Sequence, residues 1–260
     1  MPVSLRGLRQ NPMLIAAILI IAVLITSFIS GVFGMAGGII LMWVLGSLMP
    51  VRDAFVVHGA SQFFSNATRV WFLRRYIIWS IVAFYAIGWL LAIVGFYLIN
   101  YFPNKGVVFI ILGILPWIGF ALPRHIQPDI KKPGMAILCG LLVTAFQLLA
   151  GASGPILDYF YLSAKLTRHE IVGTKAFTQG IGHLAKLIYY GLVVSALVEE
   201  ELTFSAWWLL ALLPLVWIGT RIGKEFLDRM SDYHFLNIAR WLTRTLGILL
   251  ALQGVLVLLA

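Results

Sequence analysis

The chain has 260 residues, of which 61% are hydrophobic and 11% charged, with a net charge of +9. Soluble domains carry about 45–50% apolar and about 25% charged residues, so the balance excludes a soluble globular protein and indicates a polytopic membrane protein in a lipid bilayer. Apart from Arg74-Arg75 and Lys131-Lys132 the basic residues stand singly at segment ends. That is positive-inside patterning of a bacterial cytoplasmic membrane and not a nucleic-acid surface.

In chain order, Arg6 and Arg9 precede an apolar run, Met13–Phe33. The run is too long for a signal-peptide core and lacks a small-x-small cleavage site, so it reads as the first transmembrane helix. Gly34, Gly37 and Gly38 break it. The apolar stretch 39–49 that follows spans only about 16 Å as a helix and does not cross alone. Residues 54–73 form the second long helix, 77–102 the third and 106–122 the fourth, with a kink expected at Pro116. The polar segment 123–134 is the longest connection of the first half. Residues 135–150 form the fifth long helix. Glycines 151 and 154 with Pro155 break the chain again, and 156–166 is short. The sixth long helix is 171–194, followed by the acidic loop Glu199-Glu200-Glu201. The seventh is 204–219, then a charged connection 221–233, and the eighth is 236–260. The predicted fold is all-α, with eight long transmembrane helices and two short ones after the glycine breaks.

A shift of 117 positions lays the second break on the first without a gap, Gly34 on Gly151, Gly37 on Gly154, Gln62 on Gln179 and Arg69 on Lys186. Internal repeats of this kind set an architecture. Two homologous halves are expected, 1–126 and 127–260, as in transporters built by duplication. If each short segment returns the chain to the side it came from, the halves are inverted, and the surplus of Lys and Arg gathers on one face. The parallel arrangement divides it nearly evenly. Charge therefore favours inversion.

His58, Gln62, Asn66 and Arg69 fall on one face of the second long helix, with Ser61 beside them. Lys175, Gln179, His183 and Lys186 occupy the same four positions of its repeat counterpart. Polar side chains in lipid also bridge helices, but four matched positions in two copies indicate a ligand-lined path. Arg69 and Lys186 lie near helix ends, where long side chains snorkel. The breaks supply helix N-termini with free N–H groups, at Gly37 and Gly38 and at Ser153 and Gly154, suited to an anion. Close helix packing explains the first glycine pair equally well. Asp158 is the acid inside an apolar segment. It either pairs with Lys175 structurally or relays a proton. The single cysteine, Cys139, excludes an intramolecular disulfide. No enzyme motif, metal-ligand spacing or cofactor motif is present.

These residues resemble the sulfite exporter TauE/SafE family, also called the toluenesulfonate uptake permeases. The resemblance is carried by GMAGGIIL and GASGPILD and by the stretches after them, and covers nearly the whole chain. VVHGAS and IVGTKA stand where the family has an A-V-G-T-S-like turn. The resemblance implies transport of a small sulfur-containing anion, sulfite or a sulfonate, across a bacterial cytoplasmic membrane. The residues themselves indicate a proton-coupled secondary transporter with its site between the repeats. A passive anion channel and an assembly subunit without transport fit the same residues, and a homodimer is left open.

Overall fold

A computed structural model describes residues 12–34, 36–99, 103–121, 128–161, 164–194 and 207–259. Arg6, Arg9, Arg124 and the acidic Glu199–Glu201 loop lie outside them. The described residues form ten helices and no strand. They are α1 (Pro12–Phe33), α2 (Ala36–Leu48), α3 (Val51–Leu73), α4 (Trp79–Ile99), α5 (Lys105–Ala121), α6 (Pro133–Ala150), α7 (Gly154–Tyr161), α8 (Arg168–Ile188), α9 (Trp207–Arg229) and α10 (Asp232–Leu259). A 3₁₀ turn, Arg74–Tyr76, follows α3, and a π turn, Tyr189–Val193, follows α8. Three helices are apolar and long enough to cross a membrane by length and composition, over Met13–Phe33, Trp79–Ile99 and Pro133–Ala150.

Both expected breaks are present, and they are made alike. Gly34 and Gly151 each have φ of 79°, the left-handed conformation that only glycine adopts without strain. Gly34 N–H donates to Ser30 O at 2.8 Å, and Gly151 N–H donates to Gln147 O at 3.0 Å. These are helix C-caps closing α1 and α6. Beyond the first cap, α2 folds back along α1. Its last residue Leu48, with Met49, lines one cavity with Ile15, Ala16 and Leu19. The short helix therefore returns to the end from which α1 began.

The dominant packing partners are α1 with α9, α4 with α6, α3 with α8, and α5 with α10. Every pair joins one half of the chain to the other, so the halves interlock. α3 and α8 run antiparallel. His58 near the start of α3 meets Lys186 near the end of α8, and Leu73 at the end of α3 meets Gly173 near the start of α8. Glycines bring the flanking pairs into backbone contact, as small residues do between helices in lipid. A Cβ on Gly88 would lie 1.9 Å from Ile137 O, and one on Gly140 would lie 2.1 Å from Tyr85 O. Gly219 and Gly223 press on Leu24 O and Phe28 O in the same way. Gly88→Ala is expected to lose folded protein in detergent, with a penalty of at least about 1–3 kcal/mol. Gly95, with nothing within 4 Å of a Cβ, should tolerate alanine. Equal melting temperatures for the two variants would refute this packing.

The surface carries many large apolar side chains, and the interior holds charged and polar groups beside its apolar core. Ser27, Ser30, His58, Asn66, Arg69, Lys175 and Lys186 are buried, while large apolar side chains of α4 and α9, among them Leu90, Leu98, Trp207 and Trp217, are exposed. Two buried apolar clusters sit at opposite ends. One is built on α2 and the start of α3, the other on α7 and the start of α8. The polar residues of α3 and α8 lie along the middle.

Three expectations are corrected. The charged connection 221–233 is mostly helix, because α9 continues to Arg229. Arg221 with Glu225 and Lys224 with Asp228 are i,i+4 ion pairs, which support a helix where hydropathy falls. The second short helix ends at Tyr161 and not at 166, because Thr167 is extended as the N-cap of α8. Thr167 and Glu170 form a reciprocal capping box there. Arg69 and Lys186 do not snorkel. They are 1% and 0% exposed, because the broken ends of α1 and α6 cover them. The tight connection between α9 and α10 is clasped by Arg168 Nη1 donating to Asp232 at 2.8 Å. This contact holds the Asp232 carboxyl below its ordinary value. The clasp is complete above about pH 4 and is lost as the pH falls through the lowered pKa.

Candidate functional site

The interior polar groups gather around the two left-handed glycines. At the first break, Arg69 Nη1 donates to Ser30 O at 2.9 Å, its Nη2 to Asn66 Oδ1 at 2.6 Å, and its Nε to Ser65 O at 3.3 Å. A Cβ on Gly34 would lie 3.4 Å from Arg69 Nη1 and 3.9 Å from Lys175 Cε. Lys175 is ion-paired with Asp158 of α7. At the second break, Lys186 Nζ donates to Gly151 O at 2.8 Å and to His58 Nδ1 at 2.5 Å. His58 Nε2 bonds Gly38 O at 2.7 Å. A carbonyl only accepts, so the proton is on Nε2, and Nδ1 offers its lone pair to the lysine.

The two neighbourhoods use positions related by the same shift. Arg69 and Lys186 each hold the carbonyl end of the broken helix in their own half. Those ends carry partial negative charge that a cation satisfies. Lys175 and His58 each approach from the other half. The chemistry then diverges. The cation at Lys175 faces a carboxylate, whereas its counterpart His58 bonds a backbone carbonyl. Arg69 and Lys186 form no ion pair with any carboxylate among the described residues.

The other expected residues fall as follows. The His58 and His183 rings lie 5.3 Å apart. Asn66 Nδ2 donates to Gln62 O at 2.7 Å. Ser153 Oγ donates to Gln147 Oε1 at 3.4 Å. Gln179 is buried, and Gly154 is the buried first residue of α7. The Gln62 Nε2, Ser61 Oγ and His183 Nδ1 atoms are buried without a hydrogen-bond partner among the described residues. The two glycines of the first pair have different neighbours. Gly38 presents its carbonyl to His58, but Gly37 faces α1, where a Cβ would lie 1.9 Å from Thr26 O.

Four further residues were missed by the sequence reading. Ser27, Ser30, Thr144 and Gln147 on α1 and α6 are at most 1% exposed. Ser30 Oγ and Gln147 Nε2 are also buried without a partner among the described residues. Extending the 117 shift upstream of the glycines pairs Ser27 with Thr144 and Ser30 with Gln147. That correspondence was the available signal. In a buried setting an unsatisfied donor costs about 1–3 kcal/mol, so a row of them calls for a polar ligand or water.

Two helices broken alike, the first followed by a segment that folds back, with an apolar exterior and buried charged groups, together describe a multi-pass membrane transport protein. The family model described as Sulfite exporter TauE/SafE matches residues 19–258, and the chain belongs to that family. No curated protein and no solved structure matches it.

Proposed function

We propose that the chain is a secondary transporter for a small sulfur oxyanion, sulfite or a sulfonate, in the bacterial cytoplasmic membrane. The single observation that carries the anion reading is the pair of buried cations without carboxylate partners, Arg69 and Lys186. Both are held by neutral acceptors alone, so an anion between the breaks supplies the countercharge that no carboxylate provides. The donors of Gln62, Gln147, Ser30 and Ser61 suit the oxygens of such an anion. Its site is placed between two inverted repeats, near the bilayer midplane.

Inversion is supported by the antiparallel course of α3 and α8 and by the folding back of α2. It is supported also by Tyr76, in the 3₁₀ turn after α3, stacking on His169 at the start of α8, with ring centroids 5.0 Å apart. Equivalent helices related by an axis in the membrane plane run in opposite directions. Eight spans follow if α3, α5, α8, α9 and α10 also cross. α3 and α8 carry buried charges, which is why hydropathy alone passes them over.

Proton coupling is assigned to Asp158. An anion engaging Lys175 competes with the carboxylate, which then takes a proton because desolvation without a countercharge favours the neutral form. A proteoliposome uptake screen over sulfite, sulfonates, carboxylates and phosphate tests the function. Saturable, pH-gradient-driven uptake of sulfur oxyanions is expected. Uptake of none above protein-free vesicles would reject it.

A further inference from the structure

A second polar concavity lies away from the helix breaks, at the end of α3. It has a volume of about 520 Å³ and is lined by Arg74, Arg75, Tyr76, His169, Lys224 and Asp228, among others. It bridges the 3₁₀ turn after α3, the first turn of α8 and the last turns of α9. None of these side chains is assigned to the anion site or to proton coupling.

Its charges are unequal. Three permanent cations face one carboxylate, and that carboxylate is already engaged. Asp228 Oδ2 accepts from Lys224 Nζ at 2.6 Å, and Oδ1 accepts from His169 Nε2 at 3.0 Å. The Tyr76 ring covers the His169 ring at an interplanar angle of 28°, which fixes the wall. Arg74 donates one N–H to Trp71 O at 2.8 Å and lies over the Trp71 ring at 4.9 Å. Its remaining N–H groups make no other hydrogen bond among the described residues. Arg75 is exposed and makes no hydrogen bond or ion pair among the described residues. The cavity is thus lined by two neighbouring arginines, one of them without a hydrogen bond among the described residues, and carries a net positive charge.

Its level on the molecule is marked by aromatic residues. Trp71 is 67% exposed and Trp79 58% exposed beside it. Exposed tryptophans at one level of a membrane protein mark the bilayer–water interface. Guanidinium forks match phosphate oxygens two at a time. Basic pockets between transmembrane helices at such an interface take anionic head groups.

We propose that this cavity is a binding site for a phosphate-bearing anion at the membrane surface, held by Arg74, Arg75 and Lys224. The phosphate comes either from an anionic phospholipid or from solution.

Full-length protein in neutral detergent tests this by native mass spectrometry and thermal shift. The probes are phosphatidylglycerol, phosphatidylcholine and inorganic phosphate, each added alone. Retention of phosphatidylglycerol over phosphatidylcholine is expected. Each cation removed should weaken it about fivefold, so Arg75→Gln with Lys224→Gln should weaken it roughly 25-fold. Both side chains lie at the surface, and the melting temperature without lipid reports whether the double variant is folded. Lys131→Gln, an exposed lysine on another connection, should leave binding unchanged and so separates this cavity from general surface charge. Stabilisation by inorganic phosphate, lost in the same double variant, would assign the soluble source and uphold the site. Equal phosphatidylglycerol retention by wild type and a folded double variant, with no phosphate effect, would overturn it.

Discussion

Lys186→Met is expected to abolish anion uptake while leaving protein that still inserts in the membrane. The side chain holds Gly151 O and His58 Nδ1, and methionine keeps its length without its donors. Each buried acceptor left alone costs about 1–3 kcal/mol, so a lower melting temperature accompanies the loss. Lys186→Arg separates the two effects. It restores the positive charge and a donor to the carbonyl, so it should recover much of the stability. Its planar fork does not reproduce the ammonium geometry, so uptake should return only in part. Uptake by Lys186→Met at the wild-type rate would show that this cation is a helix cap and nothing more.

Asp158→Asn is expected to separate binding from coupling. The carboxylate, on α7, is ion-paired with Lys175 on α8, and under the 117-residue shift Leu41 stands in its place. Asparagine imitates the protonated acid, so substrate should still bind and exchange across the membrane. Accumulation driven by an inward proton gradient should fall to the level reached without the gradient. Lys175→Met should instead weaken binding and leave Asp158 as a half-buried acid without its partner. The readout is uptake into proteoliposomes with and without an imposed pH gradient. Gradient-driven accumulation by Asp158→Asn equal to wild type would make the pair structural.

Much of this architecture was legible because two glycines and two polar stripes repeat at one spacing. His58, Gln62, Asn66 and Arg69 stand at helical intervals, and their partners follow under the same shift. The Asp158–Lys175 pair was also accessible, since one acid in an apolar segment needs a partner. Ser30 and Gln147 were not. A lone hydroxyl or amide in an apolar helix reads as helix bridging, and only the upstream extension of the repeat reveals their correspondence. Arg69 and Lys186 were misplaced for a related reason. Nearness to a helix end in sequence does not mean nearness to the surface when another helix also ends there. Gly37 and Gly38 are adjacent in the chain, yet one packs on Thr26 and the other presents a carbonyl to His58. The extension of α9 was hidden because hydropathy drops at Arg221 while i,i+4 ion pairing continues the helix.

The most direct test of an oxyanion site between the two breaks is equilibrium binding of radiolabelled sulfite to purified protein. Wild type, Lys186→Met and Gly95→Ala would be compared at a temperature where all three are folded. The account predicts saturable binding of one anion per chain by wild type and Gly95→Ala, with none by Lys186→Met. Binding by Lys186→Met that matches wild type in affinity and amount would contradict it.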